Sequence, residues 1–336
     1  MSTCLSLQGR VRFSTSAVEP EGDVGDASAA TRLIGDQEAS RPVTPAVLRV
    51  GSTWETPGTT VKPPPQAVLA EFGAGSASPQ LLPGGQGTTW RAGGVIVKPS
   101  TDADGDAWTA EVISGLTPRG YRVARPVRAR NGAWIADGWC AWEVVAGSHG
   151  SGGRWSQIFP ATRALHADLV ELARPDFLAS RTDAWAHGDR AAWADVAVDA
   201  CHAAIGDLIR RCAALRVEEG LTCQIVHGDI YGNVLFDEGS LPAVIDLSPY
   251  WRPVEYALAV AAVDALAWFS APATILDDLA ELPALQSLLA RAAMFRLVTA
   301  DRIASRHRLD QDPGYVGGIV AEFSPVVDLI ASTLAA

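Results

Sequence analysis

Positive charge is scarce in this chain: 27 Lys and Arg stand against 38 Asp and Glu, for a formal net charge of −11. A phosphate backbone asks for a basic stripe, so nucleic acid is not the expected partner. An acidic surface instead serves solubility or tolerates a cationic small molecule. Cysteine is scarce too. Cys4, Cys140, Cys201, Cys212 and Cys223 form no CxxC pair and no Cys/His ligand spacing, which argues against a disulfide framework or a zinc site and for reduced, buried thiols in a cytoplasmic protein. The N-terminus has no basic-then-apolar leader with a small-residue cleavage site, so no signal peptide is expected. Long apolar runs are missing as well. The most apolar stretch, ALAVAAVDALAWF at 257–269, is interrupted by Asp264 and is too short to span a bilayer. A buried helix is expected there, and no membrane partner.

What is present suits a globular chain of two lobes or domains. The 336 residues, 48% hydrophobic with eleven Trp, are enough for more than one compact unit. Residues 1–62 are rich in Ser, Thr, Gly, Pro, Ala and acids without a sustained period, and read as a flexible extension ended by Pro63-Pro64-Pro65. Residues 63–145 read as a small lobe. It has a short helix at 67–73 closed by Gly73, strands within 81–99 of which the second is Val95–Lys98, a helix at 107–116, and a meander across 122–145. Residues 146–336 read as a larger, mainly helical lobe, with apolar stripes at 155–173 and 190–216 and again from Pro253 to Leu334. A hairpin at 225–249 interrupts the helices. No internal repeat is visible.

That hairpin, IVHGDIYGNVLFDEGSLPAVIDLSP, carries Asp229, Asn233 and Asp246, each bracketed by apolar residues. Charged groups are seldom buried without a partner or a task. The bland alternative is that Asp229 and Asn233 only form turns. The chain contains its own control, because His187-Gly188-Asp189 repeats the triplet. That copy has no following Asn and no hairpin; Asp189 is expected to cap a long helix and to be structural.

The triplet His227-Gly228-Asp229, followed by Asn233 and by Ile245-Asp246 at a strand end, resembles the catalytic core of the aminoglycoside phosphotransferase/choline kinase-like enzymes, relatives of the protein kinases. The resemblance spans roughly residues 66–300 and implies an α+β, protein-kinase-like two-lobe fold. It implies Asp229 as catalytic base, Asn233 and Asp246 as ligands of Mg²⁺, and His227 as a brace for the loop. Mg²⁺ is hard and takes oxygen donors, and phosphoryl transfer needs a carboxylate on the acceptor hydroxyl. Upstream it implies Lys98 on the ATP phosphates, held by Glu111 thirteen residues later. The glycine-rich stretch 84–91, with Gly85, Gly87 and Thr88, would lie over the phosphates, or is a plain β-turn. Backbone groups of the lobe connection, Glu143 to Val145, would hold adenine, or Trp142 and its strand are only core.

Three features depart from the pattern. Kinases place one residue more between the Asp and the Asn than the Ile230-Tyr231-Gly232 found here; Gly232 can take a tighter path. The family's Asp-Leu-Ala appears as Tyr256-Ala257-Leu258-Ala259, leaving Glu255 as a possible anchor. Ser248–Pro253 is short and aromatic where a protein kinase has an activation segment, so Tyr250, Trp251 and Arg252 either line an acceptor pocket or form a packed corner. The expected activity is transfer of phosphate from ATP to a hydroxyl of a small molecule, an amino sugar, aminoglycoside-like compound or amino alcohol. Rival expectations are a catalytically weak, nucleotide-binding regulator, transfer of AMP in place of phosphate and, last, a metal hydrolase.

Overall fold

The computed structural model describes residues 62–82, 87–218, 220–307, 309 and 313–333. The extension expected over 1–62 lies outside them except for Lys62, as does Gly85. The small lobe begins with α1 (Gln66–Glu71), entered from Pro65 and left through Gly73 at φ 76°, where a side chain would be strained. Strands β1 (Gln80–Leu81), β2 (Trp90–Ala92) and β3 (Val95–Pro99) follow, then α2 (Ala103–Gly115). The Asp102 side chain starts α2 by accepting the Gly105 N–H at 3.1 Å. After β4 (Arg122–Val123) come β5 (Pro126–Val127), β6 (Ile135–Ala136) and β7 (Trp139–Glu143).

The small-lobe sheet runs β1-β2-β3-β7-β5, with β6 also on β7, and every pair is antiparallel. Period-two alternation gives it two faces. Val97, Ala92 and Ala141 pack under Val68 and Leu69 of α1 and Phe72 just after it. The register Arg91↔Ile96↔Trp142 places the opposite row over the space between the lobes, and Lys98 pairs with Cys140 one step along.

The large lobe contains α3 (Trp155–Leu169), α4 (Phe177–Ser180), α5 (Ala184–Ala192), α6 (Ala203–Ala213), the strands β8 (Cys223–His227), β9 (Val234–Leu235), β10 (Ala243–Val244) and β11 (Pro249–Pro253), then α7 (Val254–Trp268), a 3₁₀ segment (Ala273–Leu279), α8 (Leu285–Arg306) and α9 (Pro313–Ser332). Helix α8 is the axis of the lobe, buried nearly throughout, with α5, α6, α7 and α9 packed around it. Strand β10 pairs antiparallel with β9 and parallel with β4, which ties the hairpin to the chain entering the small-lobe sheet. The 257–269 run is α7, buried over most of its length as expected. Among the described residues α9 alone is long and apolar enough to cross a membrane. Its Ile319, Phe323, Val327 and Ile330 are buried against the helical core, and 28% of its apolar stretch is buried in all.

Two expectations fail here. The stripe at 190–216 is not one helix: α5 ends at Ala192 and α6 begins at Ala203. Asp301 of α8 explains the break, since its carboxylate accepts the backbone N–H of Cys201 at 2.8 Å and of His202 at 3.0 Å and so starts α6 from a distant element. Nor does Asp189 cap a helix. Asp183 caps α5, accepting the Ala186 N–H at 2.9 Å, while Asp189 is buried mid-helix on Arg252, with Nη2 at 2.7 Å. Gly188 is the contact point of α5 with α8; a Cβ there would lie 2.3 Å from Thr299 Oγ1 and 2.7 Å from the Phe295 carbonyl. The first HGD is structural, for a different reason from the one expected.

Candidate active site

Strand β8 carries the chain to His227 and then over β11. Gly228 is obligatory at that crossing, because a Cβ would come within 2.4 Å of the Tyr250 ring. His227 braces the turn on both sides. Its Nδ1 faces the N–H groups of Asp229 at 3.2 Å and Ser248 at 3.4 Å, and its Nε2 faces the Ile245 carbonyl at 3.3 Å. Its own backbone N–H donates to His166 Nε2 at 2.9 Å. Burial lowers the pKa of His227 to about 4, so the ring stays neutral and holds the loop together.

The shortened loop closes on itself. Asn233 Nδ2 donates to the Asp229 carbonyl at 2.6 Å and to Asp229 Oδ2 at 3.1 Å, while Asn233 Oδ1 is buried with no hydrogen-bond partner. The backbone of Asn233 accepts the Ile245 N–H at 2.9 Å, which brings the β10 end alongside. Asp246 follows with φ 54°, a left-handed conformation uncommon outside glycine. Its carboxylate ion-pairs with Lys98 Nζ from the end of β3. Among the described residues no cluster of three or more His, Cys, Asp or Glu is placed to hold a metal. An Asn and an Asp oxygen completed by phosphate and water suits Mg²⁺ better than zinc.

Between the lobes lies a cavity of about 290 Å³. Thr89, Arg91, Ile96 and Lys98 form its roof, Trp142 to Val145 its back, and Leu235, Ile245 and Asp246 its floor. The expected residues Lys98, Glu143, Val145 and Asp246 thus share one cavity. Gly87, at φ 67°, and Thr88 lead into β2, and it is the next residue, Thr89, that reaches the wall.

Glu111 does not hold Lys98. It is exposed and accepts from Arg128 Nη2 at 3.1 Å and Trp134 Nε1 at 2.9 Å. The buried face of α2 carries Asp106, Thr109, Ala110 and Ile113, so Glu111 is turned off that face. The buried acid of this helix is Asp106, on Ser100 Oγ at 2.7 Å. Tyr250 is buried edge-on to Phe295 and Arg252 pairs with Asp189 and Asp195, and the two, with Trp251, also line a second cavity of about 360 Å³.

Three participants escaped the sequence reading. Arg296 Nη2 donates to Asp229 Oδ1 at 2.8 Å, and Asp264 holds the same guanidinium. Asp264, not Glu255, is therefore the α7 acid linked to the loop. Burial drives the Asp229 carboxyl above its ordinary pKa, and Arg296 draws it back down. His149 also lines the cavity, with its Nδ1 buried and unpartnered. One available signal went unused. Lys98 is one of only two lysines in the chain, with Lys62, while arginine carries the rest of the positive charge.

No protein-family model matches the sequence, and no curated protein does. Solved structures do match. A thermostable mutant of aminoglycoside phosphotransferase APH(4)-Ia, in ternary complex with AMP-PNP and hygromycin B, superposes with a TM-score of 0.53 at 15% identity, covering 80% of this chain and 99% of that one. The fold is that of the aminoglycoside phosphotransferases. A second such ternary complex gives 0.52 at 14% identity, over 80% and 98% of the two chains. Choline kinase LicA from Streptococcus pneumoniae gives 0.47 at 12%, over 76% and 93%. The protein-kinase-like, α+β two-lobe architecture implied by the sequence is borne out, and at such identities the likeness speaks for the fold.

Proposed function

We propose that this chain is an ATP- and Mg²⁺-dependent phosphotransferase that phosphorylates a hydroxyl of a small molecule. The observation that carries the reading is the meeting of Lys98 from the small lobe with Asp246 from the large lobe, on a cavity next to a loop that orients Asp229. A lysine and a carboxylate facing one cavity, with Asn233 and Asp229 buried in the loop behind it, suit phosphoryl transfer, because its catalysis is mainly positioning and charge neutralisation.

In this reading Lys98 binds the phosphates, and Ile96 and Leu235 enclose adenine from above and below. Glu143 and Val144 spend their N–H groups on Arg125 at 2.7 Å and Gly94 at 3.0 Å. Adenine recognition therefore falls to carbonyls of the connection and to Val145. Gly87 and Thr88 cover the phosphate end. Asn233 Oδ1 and the Asp246 carboxylate would hold Mg²⁺. The unpartnered Oδ1 fits that role, since a buried acceptor without a donor is otherwise costly. Bound there, the ion neutralises charge on the transferring phosphoryl group. Asp229 accepts the proton of the acceptor hydroxyl.

The acceptor is proposed as an amino sugar, an aminoglycoside-like compound or an amino alcohol. The net charge of −11 suits a cationic acceptor, and the superposing enzyme binds AMP-PNP with hygromycin B. A cytoplasmic location accords with the free, buried thiols Cys140 and Cys212. The test is incubation of the purified protein with ATP–Mg²⁺ and a panel of such amines, with product masses read directly. A phosphorylated amine supports the reading. An adenylylated product would replace it by AMP transfer. Nucleotide binding with no product across the panel would favour the regulatory alternative.

A further inference from the structure

The carboxylate assigned as base is clamped from two sides. Asp264 takes the Arg296 guanidinium side-on, Oδ1 from Nε at 2.8 Å and Oδ2 from Nη2 at 2.5 Å. The same Nη2 donates to Asp229 Oδ1 at 2.8 Å and lies 3.3 Å from the Gly228 carbonyl. Asn233 Nδ2 holds the other oxygen of Asp229 at 3.1 Å. The three ionic groups are 4%, 3% and 7% exposed for Arg296, Asp264 and Asp229. They come from α8, α7 and the catalytic loop.

Burying three charges together is a poor way to gain stability, because well-packed apolar residues of similar volume often do as well or better. The arrangement is well suited to fixing direction. A guanidinium gripped at Nε and Nη2 has its plane set, and its remaining Nη2 hydrogen then has one line of approach. The rings of Phe295, 4.7 Å from the guanidinium carbon, and Trp268, 5.6 Å from it, limit its sideways travel. With one donor fixed on each oxygen, the free lone pairs of Asp229 point in a set direction.

We infer that Arg296, anchored by Asp264, is the positioning residue that aims Asp229 at the acceptor hydroxyl, so that the packing of α7 on α8 sets the geometry of the reaction. The inference rests on the phosphotransferase reading, in which Asp229 is the base. It adds residues that belong to neither the nucleotide site nor the metal site.

Three variants test it. Arg296→Lys keeps the charge without the fork, Asp264→Asn keeps the volume without the charge, and Arg296→Met removes both functions. Turnover and ATP–Mg²⁺ affinity are measured separately for each, with melting temperature as the check on folding. Misdirection of the carboxylate should cost about a hundredfold in kcat for Arg296→Met and about tenfold for the other two. ATP–Mg²⁺ affinity should stay at the wild-type value throughout, because Lys98 and Asp246 are untouched. Partial rescue by Lys relative to Met is the signature of positioning. If Arg296→Met does not fold, the two conservative variants decide. Wild-type kcat in both, or ATP–Mg²⁺ affinity falling in step with kcat, overturns the inference and leaves the phosphotransferase reading standing. A wild-type protein that transfers nothing overturns both.

Discussion

Lys98 and Asp246 reach across the interlobe cavity and form an ion pair, the lysine from the last turns of β3 and the acid from the residue pair that follows β10. Side-chain exposures of 11% and 10% mean that neither charge is screened by bulk water. A pair that is nearly buried stands or falls together, since removing one member strands the other. This contact joins the lobes and sits where phosphate and metal charge would be exchanged.

Removal of Asp246 is expected to abolish Mg²⁺-dependent ATP binding. Asp246→Asn keeps the volume but gives up the charge that Mg²⁺ and Lys98 share. A calorimetric titration with ATP, with and without Mg²⁺, checks this. Equal Mg²⁺-dependent affinity in wild type and variant would remove Asp246 from the metal site.

Asp229→Ala should behave differently. Asp229 does not line the cavity, and the proposed phosphate and metal contacts are made by other side chains. ATP–Mg²⁺ should bind at close to wild-type affinity while turnover falls by about two to four orders of magnitude, the usual range for a general base. Undiminished turnover would remove the role given to Asp229.

Glu111→Ala tests the correction to the sequence reading. Glu111 meets Arg128 and Trp134 at the surface, and exposed ion pairs contribute little. The variant should keep its KM for ATP within about twofold, since surface substitutions away from special features have small effects. A large rise in KM would restore Glu111 as the partner of Lys98.

The contrast among these residues shows what a single sequence exposes. Asp229, Asn233 and Asp246 were legible because one hairpin delivers them, so their spacing is a local quantity. Lys98 was legible as the charged end of an apolar strand. Its partner was not, because the choice depends on how α2 is rotated about its axis, and Asp102 starts that helix earlier than the apolar pattern suggested. The break between α5 and α6 was hidden for a related reason. Both flanks carry helical stripes, and the cap that separates them, Asp301, comes from α8. Arg296 and Asp264 left a fainter trace: Asp264 interrupts the apolar run of α7, and Arg296 is the one charge between Arg291 and Asp301 of α8. Charges embedded in separate apolar helices are candidates for each other.

Acid should withdraw the contribution of two buried histidines before most carboxylates titrate. His166 and His227 are buried, and burial lowers their pKa values to about 3 and about 4, with His227 further lowering His166. Both folded-state values lie below the ordinary 6.5, so the unfolded chain binds more protons once the pH drops below that value. The contribution of these two rings is therefore intact above pH 6.5 and is lost as the pH descends toward 4, by roughly 1.4 kcal/mol per pH unit for each proton. The raised Asp229 carboxyl works the other way, gaining its proton first in the folded protein. Urea midpoints at pH 7.5, 6.0 and 5.0, compared between wild type and a His166 variant, isolate the histidine contribution. His166→Gln keeps an oxygen to accept the His227 N–H and removes one titrating group, so its stability should fall less steeply than that of the wild type through this window, by roughly 1.4 kcal/mol per pH unit. Parallel pH dependence in the two proteins would mean that His166 is already protonated in the folded state, and a neutral ring accepting the His227 N–H could not then be sustained.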